Sequence, residues 1–381
     1  MSELTTDVLI IGAGPAGLCT AIGLAQRGID FLILDALPEA QNTSRAAVIH
    51  AATLDSLGQL GVAERLINQG IKARETRIRN RDQVLFQTDF SSLPSPTPYA
   101  LMIPQDETEA ILLEHLQSLG GNTMRPARLT GYERTDTGIQ ATIRSGDQDI
   151  LIDARFLIGT DGQDSTVRTA AGIGFPGDSY GSFLLADVRM DWPISQEEVS
   201  LFVSGDGIMV VAPMSDGRYR IVAQYENAPL QPHIADVQRL IDLRGPATRV
   251  TIHDLLWGSR FRVHHKLADH FRDGPVLLAG DAAHVHSPAG GQGMNLGIRD
   301  ALALSDALAQ VIGGASGTVL DSYASDRRAA AQKVLAMTDR LTMIATLTNP
   351  AGRLIRDRLL RLTSRSSRVR RSIALRLAGY D

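Results

Sequence analysis

The sequence predicts an α/β protein, more fully an α+β chain of two domains, in which a mostly antiparallel sheet interrupts an α/β body. Three observations carry this. Residues 7–11 read as a buried strand, run directly into Gly12-Ala13-Gly14-Pro15-Ala16-Gly17, and continue as a helix over 18–26. From 182 to about 261 the pattern changes to short alternating strands. At 276–279 an apolar run returns, turns sharply at Gly280-Asp281, and passes through a glycine-rich loop broken by Pro288 into a helix from about Met294. The apolar positions Leu296, Ile298, Ala301, Leu304 and Leu308 of that helix recur at three-to-four spacing.

Taken in order, the first segment is a G-x-G-x-x-G fingerprint in the context it requires. A strand precedes it, a helix follows, and a second strand at 31–34 ends in Asp35. The glycines let backbone approach a pyrophosphate, the helix N-terminus faces the phosphates, and Asp35 can accept from a ribose hydroxyl. The motif does not choose between FAD and NAD. Arg45, before a helix through Leu54, Leu57 and Leu60, could meet a phosphate or a flavin edge, or be a solvated surface arginine. Residues 75–100 read as extended, with Pro94, Pro96 and Pro98 forcing an irregular connection. Ile103-Pro104-Gln105 introduces a helix over 106–119, with one apolar face.

Strands are expected near 127–134, 138–144 and 149–153, and a further buried one at 155–159. The last ends in Thr160-Asp161-Gly162, where Asp161 could bond a cofactor hydroxyl or Asp164 or Ser165 could merely cap the next helix; from these residues alone the cap is expected. The string at 172–177 also matches G-x-G-x-x-G but is rejected. No strand precedes it, Pro176 sits inside it, and no helix start follows. Further strands are expected at 182–190, 198–203, 207–213, 218–226 and 250–257, with one amphipathic helix near 233–243. Within this block Tyr225, His253, Trp257 and Phe261 could line a pocket or serve as ordinary sheet residues. A helical region follows at 316–346. Residues 352–377 then carry nine arginines and a single acid, Asp357. Such a tail can bind a membrane surface or nucleic acid, or it can be a packed helix pair with a solvated, ion-paired face; the second is expected. His284 and His286, two residues apart in a turn, read as structural, and no metal site is expected.

At 381 residues the chain can hold two or three domains with a large core. Hydrophobic content of 44%, charged content of 21% and a net charge of −4 describe an ordinary soluble protein and give no sign of a nucleic-acid partner. A single cysteine, Cys19, excludes an intrachain disulfide and fits a reducing compartment; its place in a small-residue helix marks it as a buried, inert thiol. The N-terminus lacks a basic region, and its apolar run is cut by three glycines and a proline, so it resembles neither a signal peptide nor a membrane span. A cytoplasmic protein without stable membrane association is expected.

Residues 12–17 with Asp35, Asp161-Gly162 through Arg168, and Gly280-Asp281 through Asn295 together resemble the single-component (class A) flavoprotein monooxygenases, the aromatic hydroxylase family. The resemblance spans about 5–345. Ile103-Pro104-Gln105, Leu184-Leu185-Ala186-Asp187-Val188 and Gly280-Asp281-Ala282-Ala283-His284 suggest its polyketide-hydroxylase and rifampicin-monooxygenase branch. It implies a Rossmann-like FAD-binding domain of the GR2, aromatic-hydroxylase type over 1–75, 100–178 and 265–345. It implies a substrate-binding sheet domain over 76–99 and 179–264, and a helical tail over 346–381. The thioredoxin-like third domain of many relatives is not expected here.

The resemblance further implies FAD as cofactor. Gly12, Gly14, Ala16 and Gly17 would meet the pyrophosphate and Asp35, in place of the more usual Glu, the adenosine ribose. Arg45 and Gln105 would lie near the flavin and its pyrophosphate, Asp161 in the segment linked to FAD and NAD(P)H, and Asp281 on the ribityl chain. Pro288 and the loop Gly290, Gly291, Gly293, Met294 and Asn295 would run along the isoalloxazine ring, with Pro288 and Gly290 toward C4a. NADPH or NADH, with NADPH favoured, would bind transiently and reduce the flavin. Reaction with O2 would give a C4a-hydroperoxide that hydroxylates an aromatic or polyketide-like substrate. No protein acid or base is named, because the flavin carries the chemistry. Tyr225, Trp257 and Phe261 are the candidate substrate residues. The alternatives are a geranylgeranyl-reductase-like flavoenzyme, an antibiotic-inactivating monooxygenase, or a flavin-bound protein that acts without turnover. The isolated Trp192 and Trp257 disfavour a halogenase.

Overall fold

The computed structural model describes residues 3–39, 46–287, 290–347 and 349–380. Its first sheet has the order Arg272–Asp273, Val276–Leu278, Gln148–Gly159, Glu3–Ile11, Phe31–Leu34, Thr123–Met124, with the hairpin strands Arg128–Thr135 and Gly138–Ser145 attached to Gln148–Gly159. Glu3–Ile11 lies at its centre and pairs in parallel on both sides. Its apolar run is continuous because both faces are covered. Val8 and Ile10 enter one core with the helices Pro15–Ala25, Gln105–Ser118 and Gly293–Ile312. Leu9 and Ile11 enter another with the hairpin and the helix Thr318–Ala345. Alternate residues therefore serve different cores, as the two-residue period of a strand demands. Each fully buried Leu or Ile contributes about 1.5–3 kcal/mol.

Two strands are longer than the sequence pattern suggests. The strands expected at 149–153 and 155–159 are one strand, Gln148–Gly159. The polar residues that seem to divide it are satisfied in place. Asp153 accepts from Gln140 Nε2 at 3.0 Å, and Arg155 Nη1 reaches Asp7 at 2.9 Å. Likewise the strand expected to end at 257 runs over Ile252–Leu267, paired along Gly177–Met190 with three register shifts. Gly177 opens that partner strand rather than a helix, as the rejected second fingerprint requires.

The second sheet has the order His284–Val285, Ile252–Leu267, Gly177–Met190, Arg218–Gln224, Gly207–Pro213, Glu198–Ser204, Glu75–Asn80, Gln83–Asp89. Glu75–Asn80 joins it by parallel pairing to Glu198–Ser204. The helix Ile234–Arg244 packs on one face, over Leu184, Ala186, Val188, Ile221 and Ala223. A small sheet of Val48–Ile49, Ala100–Met102 and Ile71–Ala73 completes the strands among the described residues.

Two helices end the chain, Pro350–Ser364 and Ser367–Leu377. The first is turned inside out relative to its pattern. Arg356 and Asp357 are buried, while Leu354, Ile355, Leu359 and Leu362 are 55–63% exposed. The buried charges have partners, which is why they tolerate burial. Arg356 bonds Asp357 at 2.9 Å and the Ala345 carbonyl at 3.2 Å, and Asn80 Nδ2 donates to Asp357 at 3.1 Å. Among the described residues, no helix is long and apolar enough to cross a membrane.

Candidate functional site

Leu34, Ile11, Gly159 and Leu278 form one register row across the parallel sheet. The residues that follow therefore leave the sheet along a single edge: Asp35, Gly12, Thr160-Asp161 and Ala279-Gly280. In open α/β sheets that carboxyl edge is where ligands bind. Segments far apart in sequence become neighbours for that reason alone.

The glycine loop has three distinct constraints. Gly12 has φ +103°, and a Cβ on it would run into the backbone of Thr160. A Cβ on Gly17 would collide with the Gly12 carbonyl. At Gly14 a Cβ would meet nothing within 4 Å, so the space above the helix start is open. The helix Pro15–Ala25 begins there without a side-chain cap or an acid in its first turn. Uncapped N–H groups facing open space suit an anionic diphosphate. Asp35 braces this loop. Its Oδ2 accepts from Ala13 N at 2.8 Å, its Oδ1 accepts from Leu37 N at 2.9 Å, and Arg125 lies 3.6 Å away.

A second helix start lies beside the first. Gly293–Ile312 also lacks a side-chain cap and a first-turn acid. Its approach is close because Gly297 packs on the Gly280 turn, where a Cβ on Gly297 would come within 3.1 Å of Gly280 Cα. Ala16 lies on the other side, 3.0 Å from a Cβ built on Gly280. Asp281 stands on this turn, exposed between the buried Gly280 and Ala282. A carboxylate beside two positive helix ends, with a glycine cradle next to it, is a donor and acceptor set that fits a flavin dinucleotide.

The loop leading to the second helix is held from behind. Gly290 and Gly291 have φ of +81° and +62°, and a Cβ on Gly291 would strike Val48. His50 Nε2 donates to Gly290 O at 2.7 Å. Asn295 Nδ2 donates to Gly291 O at 2.8 Å and Val48 O at 2.9 Å, and its Oδ1 accepts from His50 N at 2.8 Å. The Asn295 amide, expected to touch the cofactor, is thus spent on the protein. Met294 packs into the helical core. Gln105, at the start of its helix, donates to Glu109 at 2.8 Å. Arg45 and Pro288 lie outside the described residues.

Asp161 behaves as a cap. Its Oδ1 accepts from Ser165 Oγ at 2.5 Å, and its Oδ2 accepts from Thr166 N at 2.7 Å and Val167 N at 3.2 Å. Burial nevertheless raises its pKa above the ordinary carboxyl value. Ser165 also caps the helix, accepting from Arg168 N at 3.0 Å. Arg168 ties this turn to the Gly280 turn. Its Nη1 donates to Ala282 O at 2.9 Å, its Nη2 to Gln163 O at 2.7 Å, and its guanidinium lies 3.8 Å from the Phe175 ring centre.

The two histidines have separate structural partners. His284 Nε2 lies 2.6 Å from Asp300 Oδ2, and Arg327 Nε lies 2.6 Å from Asp300 Oδ1, with Asp300 wholly buried. Burial opposes the Asp300 charge, but His284 and Arg327 outweigh it and hold the pKa below the usual carboxylate value. His286 Nδ1 donates to Ser287 O at 2.8 Å. Burial lowers the His50 and His286 pKa values to about 4.

Tyr225, Trp257 and Phe261 do not come together. Trp257 and Phe261 pair with Asp187 and Phe183, on one face of the sheet. Phe261 stacks on Phe183 at 5.6 Å. Tyr225 packs on the opposite face, in the cluster beneath Ile234–Arg244, so one pocket cannot be lined by all three. The face it leaves contains an ion pair that sequence reasoning missed. Arg220 Nε and Nη2 bond Asp187 at 2.7 Å each, and Arg220 Nη1 donates to Ala46 O at 2.9 Å. His50, Gln292 and Arg220 were overlooked because their partners are distant in sequence.

Residues 5–338 match the family model described as "FAD binding domain". The chain is similar to the uncharacterized aromatic compound monooxygenase YhjG of Bacillus subtilis, 35% identical over 98% of this chain and 75% of that protein. It is 34% identical to the 6-methylpretetramide 4-monooxygenase of Streptomyces rimosus, over 90% of this chain but only 63% of that relative. The solved structure of OxyS anhydrotetracycline hydroxylase from Streptomyces rimosus superposes with a TM-score of 0.84 at 31% identity, covering 99% of this chain and 76% of that one.

Proposed function

The chain belongs to the FAD-binding-domain family of flavoprotein monooxygenases, and from that premise we propose that it uses NAD(P)H and O2 to hydroxylate an aromatic or polyketide-like small molecule. The observation that carries this reading is the pair of uncapped helix starts meeting at the Gly280 turn beside the open glycine cradle. FAD, when bound, supplies hydride acceptance and oxygen activation; the protein supplies position, charge and dryness.

The residues divide accordingly. The N–H groups at the start of Pro15–Ala25 take the diphosphate. Asp35, already bonded to Ala13, accepts from the ribose and so couples that contact to the glycine loop. Asp281 accepts from ribityl hydroxyls. The start of Gly293–Ile312, uncapped and without a first-turn acid, would supply positive potential to a bound flavin. Water is excluded by an apolar cluster that joins Ala212 of the second sheet, and Met214 just beyond its strand, to Val48, Ala100 and Met102 of the small one. NAD(P)H binds transiently, with NADPH favoured.

A panel of phenols and polyketides, scored for substrate-stimulated NADPH oxidation and an oxygen-labelled product from labelled O2, tests the reading. Label in the product is expected. FAD-bound protein that reduces its substrate without O2 would place it among the reductases of this fold instead.

A further inference from the structure

We infer that the C-terminal segment from Ser367 to Tyr380 is a positioning element of the flavin loop, acting through Gln292. The inference rests on the reading that the loop from Gly290 to Asn295 lies along the flavin, and it adds that a segment some 80 residues away sets the loop's conformation.

The helix Ser367–Leu377 ends with backbone carbonyls that have no partner inside the helix. Three successive ones are met by groups of the flavin-binding body. Leu377 O accepts from Gln292 Nε2 at 3.0 Å, Ala378 O accepts from Ala52 N at 3.1 Å, and Gly379 O accepts from Arg299 Nη1 at 2.9 Å. Tyr380 Oη donates to Asp55 Oδ2. Four consecutive residues thus fasten to the loop, to the start of the helix Ala51–Gln59 and to Gly293–Ile312. The fit is close. Ala374 and Ala378 are buried in the cluster that holds Met102 and Met214, and Leu377 Cδ2 lies 3.7 Å from a Cβ built on Gly290.

The loop needs such a restraint. Two consecutive glycines at positive φ gain more freedom on release than other residues would. His50 and Asn295 restrain Gly290 and Gly291 from the inner side. Gln292 is the side chain of this loop that reaches the C-terminal segment, and it also lies 3.4 Å from Gly290 O.

Two variants test this. Gln292→Met keeps the volume and removes the donor. Tyr380→Phe loosens the segment at a point that does not touch the loop. Each is expected to weaken FAD binding by the FAD-free protein about 2- to 12-fold in a fluorescence-quenching titration, roughly the weight of one hydrogen bond. Each is also expected to speed amide exchange of residues 290–295 and to shift the potential of the bound flavin, while Gln292→Met combined with Tyr380→Phe costs less than the sum. Asp281→Ala serves as the control for the underlying reading. If Asp281→Ala loses FAD while both variants keep wild-type affinity, exchange and potential, the inference is overturned and the reading stands. If Asp281→Ala binds FAD normally, the reading fails, and the inference with it.

Discussion

Mild acid should destabilise this protein through two imidazoles at the flavin loop. His50 is buried, with Nε2 donating to a carbonyl, and burial lowers its pKa from 6.5 to about 4. His286 is lowered to about 4 as well, first by burial. A base whose pKa falls on folding favours the neutral native form. Its contribution is complete above 6.5 and is lost as pH falls toward about 4. At about 1.36 kcal/mol per unit, lowering the pH from 6.5 to about 5 removes about 2 kcal/mol for each histidine. Asp161 and Glu109 act in the opposite sense, because burial raises their pKa values and acid relieves that penalty. The Asp300 contribution persists until the pH falls below the ordinary carboxyl range. His50→Gln places an amide nitrogen near Nε2 and cannot titrate, which isolates one imidazole. Urea titrations of the FAD-free protein from pH 7.5 to 4.5 should show the variant's slope of stability against pH smaller by about one proton, or about 1.4 kcal/mol per unit. Identical slopes in the two proteins would refute the assignment of a buried neutral imidazole.

Asn295→Ala should destabilise the protein by about 2–4 kcal/mol in urea, because it strands the His50 N–H and two carbonyls that the amide now serves. Asp281→Ala should weaken FAD binding at least about tenfold in a fluorescence-quenching titration of the FAD-free protein. Asp300→Ala should cost about 3–5 kcal/mol, measured in urea, since it leaves the buried His284 and the part-buried Arg327 without their carboxylate. Replacing both Leu354 and Leu359 by Gln should leave stability within about 0.5 kcal/mol for each site and FAD affinity unchanged, because both side chains face outward.

The sheet edge was legible in the sequence because each of its segments is local. A strand, a glycine turn and a helix start leave adjacent letters, and the register row then aligns them without further information. The inside-out helix was not legible, because periodicity shows that Leu354, Ile355, Leu359 and Leu362 share a face but not which way it points. The direction is set by Asn80 and Ala345, which satisfy Asp357 and Arg356 from other elements. The length of Ile252–Leu267 was legible but cut short at 257, since Arg260, Arg262, His264 and Lys266 alternate along it with Phe261, Val263 and Leu267 as a strand's period of two demands.

The same distinction explains why motif letters overstate contact with a ligand. Asp161 and Asn295 both stand in segments expected to meet the cofactor, yet each carboxylate or amide is committed to backbone groups of its own fold. What these side chains do is hold the N–H groups of a turn or loop in place. A site for an anionic, electron-accepting ligand is built more cheaply from oriented backbone than from charged side chains, which would need desolvation and their own partners. Motif residues in such a site therefore act mostly one step behind the contact. Substitutions at Asp161 and Asn295 should accordingly appear first as lost stability and only through it as lost FAD. At Asp281, an exposed residue on the Gly280 turn, the order should reverse: the loss of FAD should exceed any loss of stability. A denaturation midpoint that is unchanged in Asn295→Ala alongside lost FAD would place that amide on the ligand after all.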